Sequence, residues 1–473
     1  MSSQGLLKGD YPSAQHADLT MSTVTAIRRP TVGLLKTMLT SQPQRPLSPL
    51  AWVNTLRANA VENLDRLALP TLRDEEWRFT DISPLTQLSF SPAHNVTSLE
   101  PSDIAHFFIA EATARLVFVD GIYAPQLSST DSNGSIGGVV VSNLSAGRTN
   151  NDITAEATNA KIAVHLGRQP ASRDDAFAAL NTAFLQDAAV VFAPRNAVLK
   201  APVHLLFIAT QREVISSPRC LVVAEVGSAV TVIEDYVVLY QPSEQEQPNF
   251  TNALTEIVLE DNARVNHIRI QREGAHAFHI ANCAVAVGRS SNYQSVSVAL
   301  GAKISRYKLD VLLAEGAECS VNGLALIAAN QLADTHTTID HTKPQGVSRQ
   351  VHKCIVGGSA HAVFNGKIKV RQGAQRTDSV QSSRNLLVSS KAHVDTKPQL
   401  EIFADDVKCA HGATIGQLDD EELFYLKSRG LSDNGARNLL TYAFGAEIIE
   451  LIPVASLRHQ LAQMVMAQTN SQS

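Results

Sequence analysis

The sequence predicts a mainly β chain, a β-helix or β-solenoid of stacked coils held between helical segments at its two ends. Three observations predict it. Turn punctuation recurs through the second half, at Gly227-Ser228-Ala229, Asp261-Asn262-Ala263, Gly288-Arg289-Ser290, Gly301-Ala302, Glu315-Gly316-Ala317, Gly357-Gly358-Ser359-Ala360 and Gly373-Ala374, with several gaps of 13 to 15 residues and others about twice that. Alternating apolar stretches such as residues 224–233 and 367–370 fill the gaps. No helical pattern intervenes, and short strands at regular spacing without helices between them suit stacked coils better than a βαβ sheet. A two-sheet sandwich is the alternative reading of the same pattern.

Residues 1–30 read as a polar, disordered extension in which Met21 offers an alternative start, and Asp10 and Asp18 weaken a transit-peptide reading of Arg28 and Arg29. Residues 31–113 read as an N-terminal helical domain. There Trp52, Val53, Leu56, Ala60, Val61, Leu64 and Leu67 recur at helical spacing before Pro70 stops the helix. Within it, Asp74-Glu75-Glu76-Trp77-Arg78-Phe79-Thr80-Asp81 is an acidic and aromatic loop, read either as a dock onto the neighbouring domain or as a solvated loop with one buried Trp. From Ala114 the texture changes to short apolar runs, and residues 114–415 read as the β core. One amphipathic helical insertion, near 174–187, carries Phe177, Leu180, Phe184 and Leu185. Residues 416–473 read as a C-terminal helical domain. Asp419-Asp420-Glu421-Glu422 opens its first helix, Gly430 closes it, and Ser432 caps a second with a largely apolar face. That face is read as a partner-docking surface or as packing on the chain's own domain.

Composition removes several function classes. The chain has 473 residues, 44% of them hydrophobic, and a formal net charge of −5 without a block of like charge, which argues against nucleic acid or an acidic membrane surface as partner. No stretch of 18 apolar residues occurs. Five scattered cysteines with no CxxC pair fit a reduced cytosolic setting rather than a disulfide framework. The only Gly-Lys pair, Gly366-Lys367, lacks the upstream glycine of a phosphate-binding loop, and GxGxxG, HExxH and GxSxG are missing.

The chemistry-bearing stretch is Asp405-Asp406-Val407-Lys408-Cys409-Ala410-His411-Gly412-Ala413-Thr414. Extended, it sends Cys409 and His411 to the same side with Asp405, roughly 7 Å between successive same-face positions. A tetrahedral iron or cluster site wants more soft ligands than one strand edge supplies, so the set reads as half of a shared interface site. A buried structural cysteine beside a hydrogen-bonded histidine is the bland reading. His336, His341, His352, His361 and His393 cluster upstream, with Cys354 two residues after His352, and their part in any sulfur or iron path stays open. Asp405 and Asp406 face opposite ways on a strand, which weakens a carbohydrate-cleaving carboxylate pair.

The run Asp395-Thr396-Lys397-Pro398-Gln399-Leu400-Glu401-Ile402, the stretch from Asp405 through Cys409, His411 and Gly416-Gln417-Leu418-Asp419, and Leu423-Phe424-Tyr425-Leu426-Lys427-Ser428-Arg429-Gly430 resemble the SufB/SufD family of iron-sulfur cluster assembly proteins. Glu75-Glu76-Trp77-Arg78-Phe79-Thr80-Asp81 resembles that family's N-terminal signature. Gly412 after the histidine places the resemblance on the SufD side; the SufB paralogue carries glutamate there. The resemblance implies a right-handed parallel β-helix core flanked by N-terminal and C-terminal helical domains. It implies a non-catalytic scaffold in the cytoplasm or a plastid, pairing with a SufB-like paralogue through the core and docking a SufC ATPase through the C-terminal helices. It assigns Cys409 and His411 to the cluster-assembly interface, His411 as a ligand to iron or a transient iron-sulfur cluster shared with SufB. Reduced flavin is an implied ligand of the complex with no residue placed on it, and a homodimer of the isolated chain is a further implied pairing. The alternatives are a SufB-like sulfur-accepting paralogue and a carbohydrate-active β-helix enzyme. One departure is Gly435, read as lying inside the second C-terminal helix at a cost of roughly 1 kcal/mol against alanine.

Overall fold

A computed structural model describes residues 47–93, 97–130, 134–145, 153–168, 175–239 and 248–471. The extension expected over residues 1–30 lies outside them. From Ala189 to Gly416 the chain winds as a parallel β-helix, and from Arg219 onward successive strands alternate between two sheets, so each strand pairs with the strand two further along. Strands of the first sheet begin at Phe250, Phe278, Ile304, Leu332, His361 and His393, so a coil takes 28, 26, 28, 29 and 32 residues in turn. The second sheet is entered early by Ala114–Val119, which pairs in parallel with Val203–Ala209.

The coils close because one corner is built the same way each time. Asn262, Ser290, Gly316, Gln345 and Arg376 hold φ between 55 and 63°. From this left-handed region the amides of Asn262, Ser290, Gly316 and Gln345 donate to Arg289, Glu315, Pro344 and Gln375 carbonyls of the following coil at 2.9–3.0 Å. Left-handed backbone is ordinarily reserved for glycine, and here the inter-coil ladder holds Gln345 and Arg376 in it.

Inside the helix, Val222, Val232, Ile257, Val265, Val285, Val311, Ile339 and Ile368 stack as an apolar core of β-branched side chains. Charged groups are buried with them, some in hydrogen-bonded sets. Glu234 takes His267 Nε2 at 3.0 Å and the hydroxyls of Thr255 and Tyr236 at 2.8 and 2.7 Å.

The helical parts dress this core. Ala51–Leu64 packs beside Ala176–Ala183, whose N-terminus is capped by Asp175 accepting from Phe177 and Ala178 amides at 2.9 Å. A helix at Ile153–His165 falls inside the region expected to hold strands and the single insertion near 174–187. The acidic and aromatic loop docks: Trp77 is buried against Phe177, Arg306 lies 3.8 Å over its ring, and the Thr80 hydroxyl donates to buried Asp334 at 2.5 Å.

At the other end, Asp420–Ser428, Asp433–Ile449 and Ala455–Ser471 are helices. Ile448, Ile449, Ile452, Val454, Leu457, Leu461 and Val465 cover the outer face of the second sheet, against Ile233, Ile268, Ile270, Val296, Val298, Leu324, Leu326 and Ile355. Gly435 is not in a helix interior. It sits in the first turn, where its amide donates to the Ser432 hydroxyl at 3.1 Å, so the interior penalty does not apply.

Candidate functional site

The last coil is formed by His393–Ile402 in the first sheet and Lys408–Gly416 in the second, and each ends its sheet. Among the described residues no strand pairs with their far edges, so two rows of backbone donors and acceptors face solvent side by side. Lys408–Gly416 is exposed along nearly its whole length although it carries Ala410, Ala413 and Ile415. Ile402, Phe403 and Ile415 are exposed around it.

Cys409 and His411 stand opposite Ser379 and Gln381 of the neighbouring strand, both of which are fully buried, whereas Val380 between them is 43% exposed. Side chains opposite one another in adjacent strands share a face. Cys409 and His411 therefore continue the inward row and look into the mouth of the β-helix, where no further coil among the described residues covers them. Cys409 is half-buried against the apolar core and His411 is exposed.

Asp405 departs from expectation. The backbone bends at Asp405 and Asp406 before the strand begins at Lys408, so strand alternation does not carry Asp405 onto the Cys409 face. Asp406 is tied into the corner, its carbonyl accepting from Arg376 and its amide donating to Gln375.

Burial pushes the Cys409 thiol up, the carboxylate of Asp378 adds to the rise, and an amide hydrogen bond from Ser379 opposes it. The thiol thus keeps its proton at neutral pH until a cation arrives beside it.

The upstream histidines divide by environment. His352 is buried, stacked on Phe364 and 3.6 Å from Cys354 Sγ, and desolvation takes it down to about 3 while taking Cys354 up to about 12. His341 bonds Ser348 at 2.9 Å, and burial lowers it to about 4. His336 Nε2 lies 2.9 Å from Asp334. His361 and His393 are brought together with Asp395, a grouping that reading the sequence did not find. Its only sequence signal is a separation of one coil, which is hidden until the coil lengths are known.

Two concavities flank this end. A cleft of about 340 Å³ lies between the docked loop and the first sheet, lined by Glu75, Phe79, Thr80, Phe364, Asp395 and Lys397 among others. A shallow apolar groove of about 520 Å³ runs between the first two C-terminal helices, formed by Tyr425, Leu426, Leu439, Leu440 and Ala443 with Glu421 and Glu422 on its rim. Phe424 beside it is 75% exposed.

Residues 47–205 match the SufBD protein N-terminal region, and residues 207–444 match the SufBD core domain of SUF system FeS cluster assembly. The chain is 44% identical to an iron-sulfur cluster assembly SufBD family protein of Synechocystis, over 87% of this chain and 90% of the relative. It is 34% identical to the iron-sulfur cluster assembly protein SufD of Escherichia coli, over 85% and 89% of the two chains. It is also 30% identical to the chloroplastic protein ABCI7 of Arabidopsis thaliana, over 86% and 84%.

Proposed function

The chain belongs to the SufBD family of SUF-system iron-sulfur cluster assembly proteins, and from that premise we propose that it is a non-catalytic scaffold subunit. The observation that carries this reading is the uncovered mouth of the β-helix, where Cys409 and His411 look inward from a strand with one free edge. A SufB-like paralogue adding its own strands at that edge would satisfy the open backbone groups and cover Ile402, Phe403 and Ile415. It would also supply the ligands that two side chains cannot. Iron or a nascent cluster is the cargo of this composite site, and His411 is the ligand this chain contributes most directly, being exposed.

The apolar groove between Asp420–Ser428 and Asp433–Ile449, with exposed Phe424 at its side and glutamates on its rim, is the docking surface for a SufC-type ATPase. Thiol chemistry supports the scaffold over the sulfur-accepting alternative. The thiolate is the attacking species in sulfur transfer, and burial raises the thiols of Cys220, Cys283, Cys319 and Cys354, as it does that of Cys409.

The test is co-expression of the chain with its SufB-like and SufC-type partners, scoring complex recovery and the visible absorbance of bound cluster. His411→Ala is expected to leave the complex intact and to lose the cluster signal. Cluster yield equal to that of the parent complex overturns the assignment.

A further inference from the structure

We propose that His361, His393 and Asp395 form a binding site for a divalent first-row transition-metal ion, of the Zn(II) or Fe(II) kind, on the outer face of the first sheet and apart from Cys409 and His411. His361 and His393 stand directly opposite in the adjacent strands His361–Val370 and His393–Ile402, and Asp395 is two residues beyond His393. Strand alternation puts all three on one face. That face is the outer one, because Ala362 and Val394, the intervening pair, pack inward with Cys354 and Val356.

The donors converge. His361 Nε2 lies 2.7 Å and His393 Nε2 3.2 Å from the same oxygen, Asp395 Oδ2. The ligand atoms of all three lie within 4.8 Å of one another, and among the described residues no other trio of His, Cys, Asp or Glu does this. With metal–ligand bonds of about 2.0–2.1 Å, the edge of a tetrahedron is about 3.3 Å. The 3.2 Å spacing is close to such an edge and the 2.7 Å spacing is that of a hydrogen bond, so the trio would open by about 0.6 Å on that side to take a metal. Two imidazoles and one carboxylate are the donor set of open zinc and non-haem iron(II) sites, leaving positions for water or a further ligand. Access is provided: the His393 side chain is 66% exposed and those of His361 and Asp395 are 26% exposed. Asp395 also borders the cleft beside Glu75, Thr80 and Lys397.

The site is independent of the cluster-assembly reading, because it lies on the other sheet and uses neither Cys409 nor His411. The full chain carrying C409S and H411A, so that the terminal strand cannot contribute ligands, is titrated with Co(II) by visible ligand-field absorption and with Zn(II) by calorimetry. One equivalent is expected to bind. H361A, H393A and D395A are each expected to weaken it at least tenfold, and D395N, which keeps the size and hydrogen-bonding shape of the side chain, is expected to weaken it equally. Far-UV circular dichroism identifies any variant that fails to fold. No saturable binding, or parent affinity retained by both H393A and D395N, overturns the proposal.

Discussion

Replacing Asp334 by asparagine removes one charge and keeps the side chain's size, at the point where the N-terminal loop is latched to the β-helix. Asp334 and Arg306 are both essentially inaccessible and form an ion pair; Thr80 donates to the same carboxylate, His336 stands beside it, and Arg306 covers Trp77. Burial pushes the Asp334 carboxyl up, but the Arg306 guanidinium, His336 and the Thr80 hydroxyl outweigh it and hold the group at about 2, below the ordinary 3.8. That depression corresponds to about 2 kcal/mol. The variant also leaves a guanidinium buried without an anion, for which losses of about 3–5 kcal/mol are typical. The expected loss at pH 7 is therefore between about 2 and 5 kcal/mol. The sign with pH follows from the direction of the shift. The folded-state pKa is depressed, so the contribution is fully present above about pH 4 and disappears as pH falls through about 2. Urea denaturation serves as the assay, read by tryptophan fluorescence in a W52F background; the chain has two tryptophans, and Trp77 then reports the latch alone. A loss below about 1 kcal/mol at pH 7, or a gap between parent and variant that persists unchanged at pH 2, refutes the reasoning.

Two further outcomes can be checked on the isolated chain. Iodoacetamide is expected to alkylate Cys409 more slowly at pH 7.5 than it alkylates free cysteine, with the rate still climbing above pH 9 because burial and Asp378 hold the thiol protonated; faster reaction than free cysteine contradicts this. Gly366→Ala is expected to cost about 1–3 kcal/mol, since a Cβ there would lie 2.3 Å from Gln381 Nε2 and 2.9 Å from Phe364, whereas Gly412→Ala, with nothing within 4 Å, is expected to stay within about 0.5 kcal/mol; equal melting temperatures for the two variants contradict this.

The stacked coils are legible in the sequence because their corners demand turn residues, and Gly227, Asn262 and Gly316 advertise them. The corners at Ala329, Gln345 and Arg376 do not, since tertiary hydrogen bonds rather than residue type hold those backbones left-handed. Caps are local, so Asp419 and Ser432 announce their helices correctly. Ile153–His165 escapes notice because its Ile and Thr residues weaken the helical signal. At the candidate site the two-residue spacing of Cys409 and His411 gives their common face, but the direction of that face depends on Ser379 and Gln381 one coil earlier. Asp405 misleads for the same reason: alternation holds only while the backbone stays extended, and the corner interrupts it. The pairing of His361 with His393 is a matter of inter-coil register, set by turns of unequal length, and no local pattern encodes it.

The helices that cover the second sheet touch five of its successive strands, from Ile233 to Ile355, while Lys408–Gly416 contributes no residue to that apolar contact. A solenoid held only by nearest-neighbour stacking frays from either end, rung by rung. Here the last two helices act as a splint, so the middle rungs must loosen together and the stiffness of the molecule is graded along its axis. The rung bearing Cys409 and His411 lies beyond the splint and, among the described residues, is paired on one side only. A load applied to the C-terminal helices is borne by five rungs at once rather than by the terminal one.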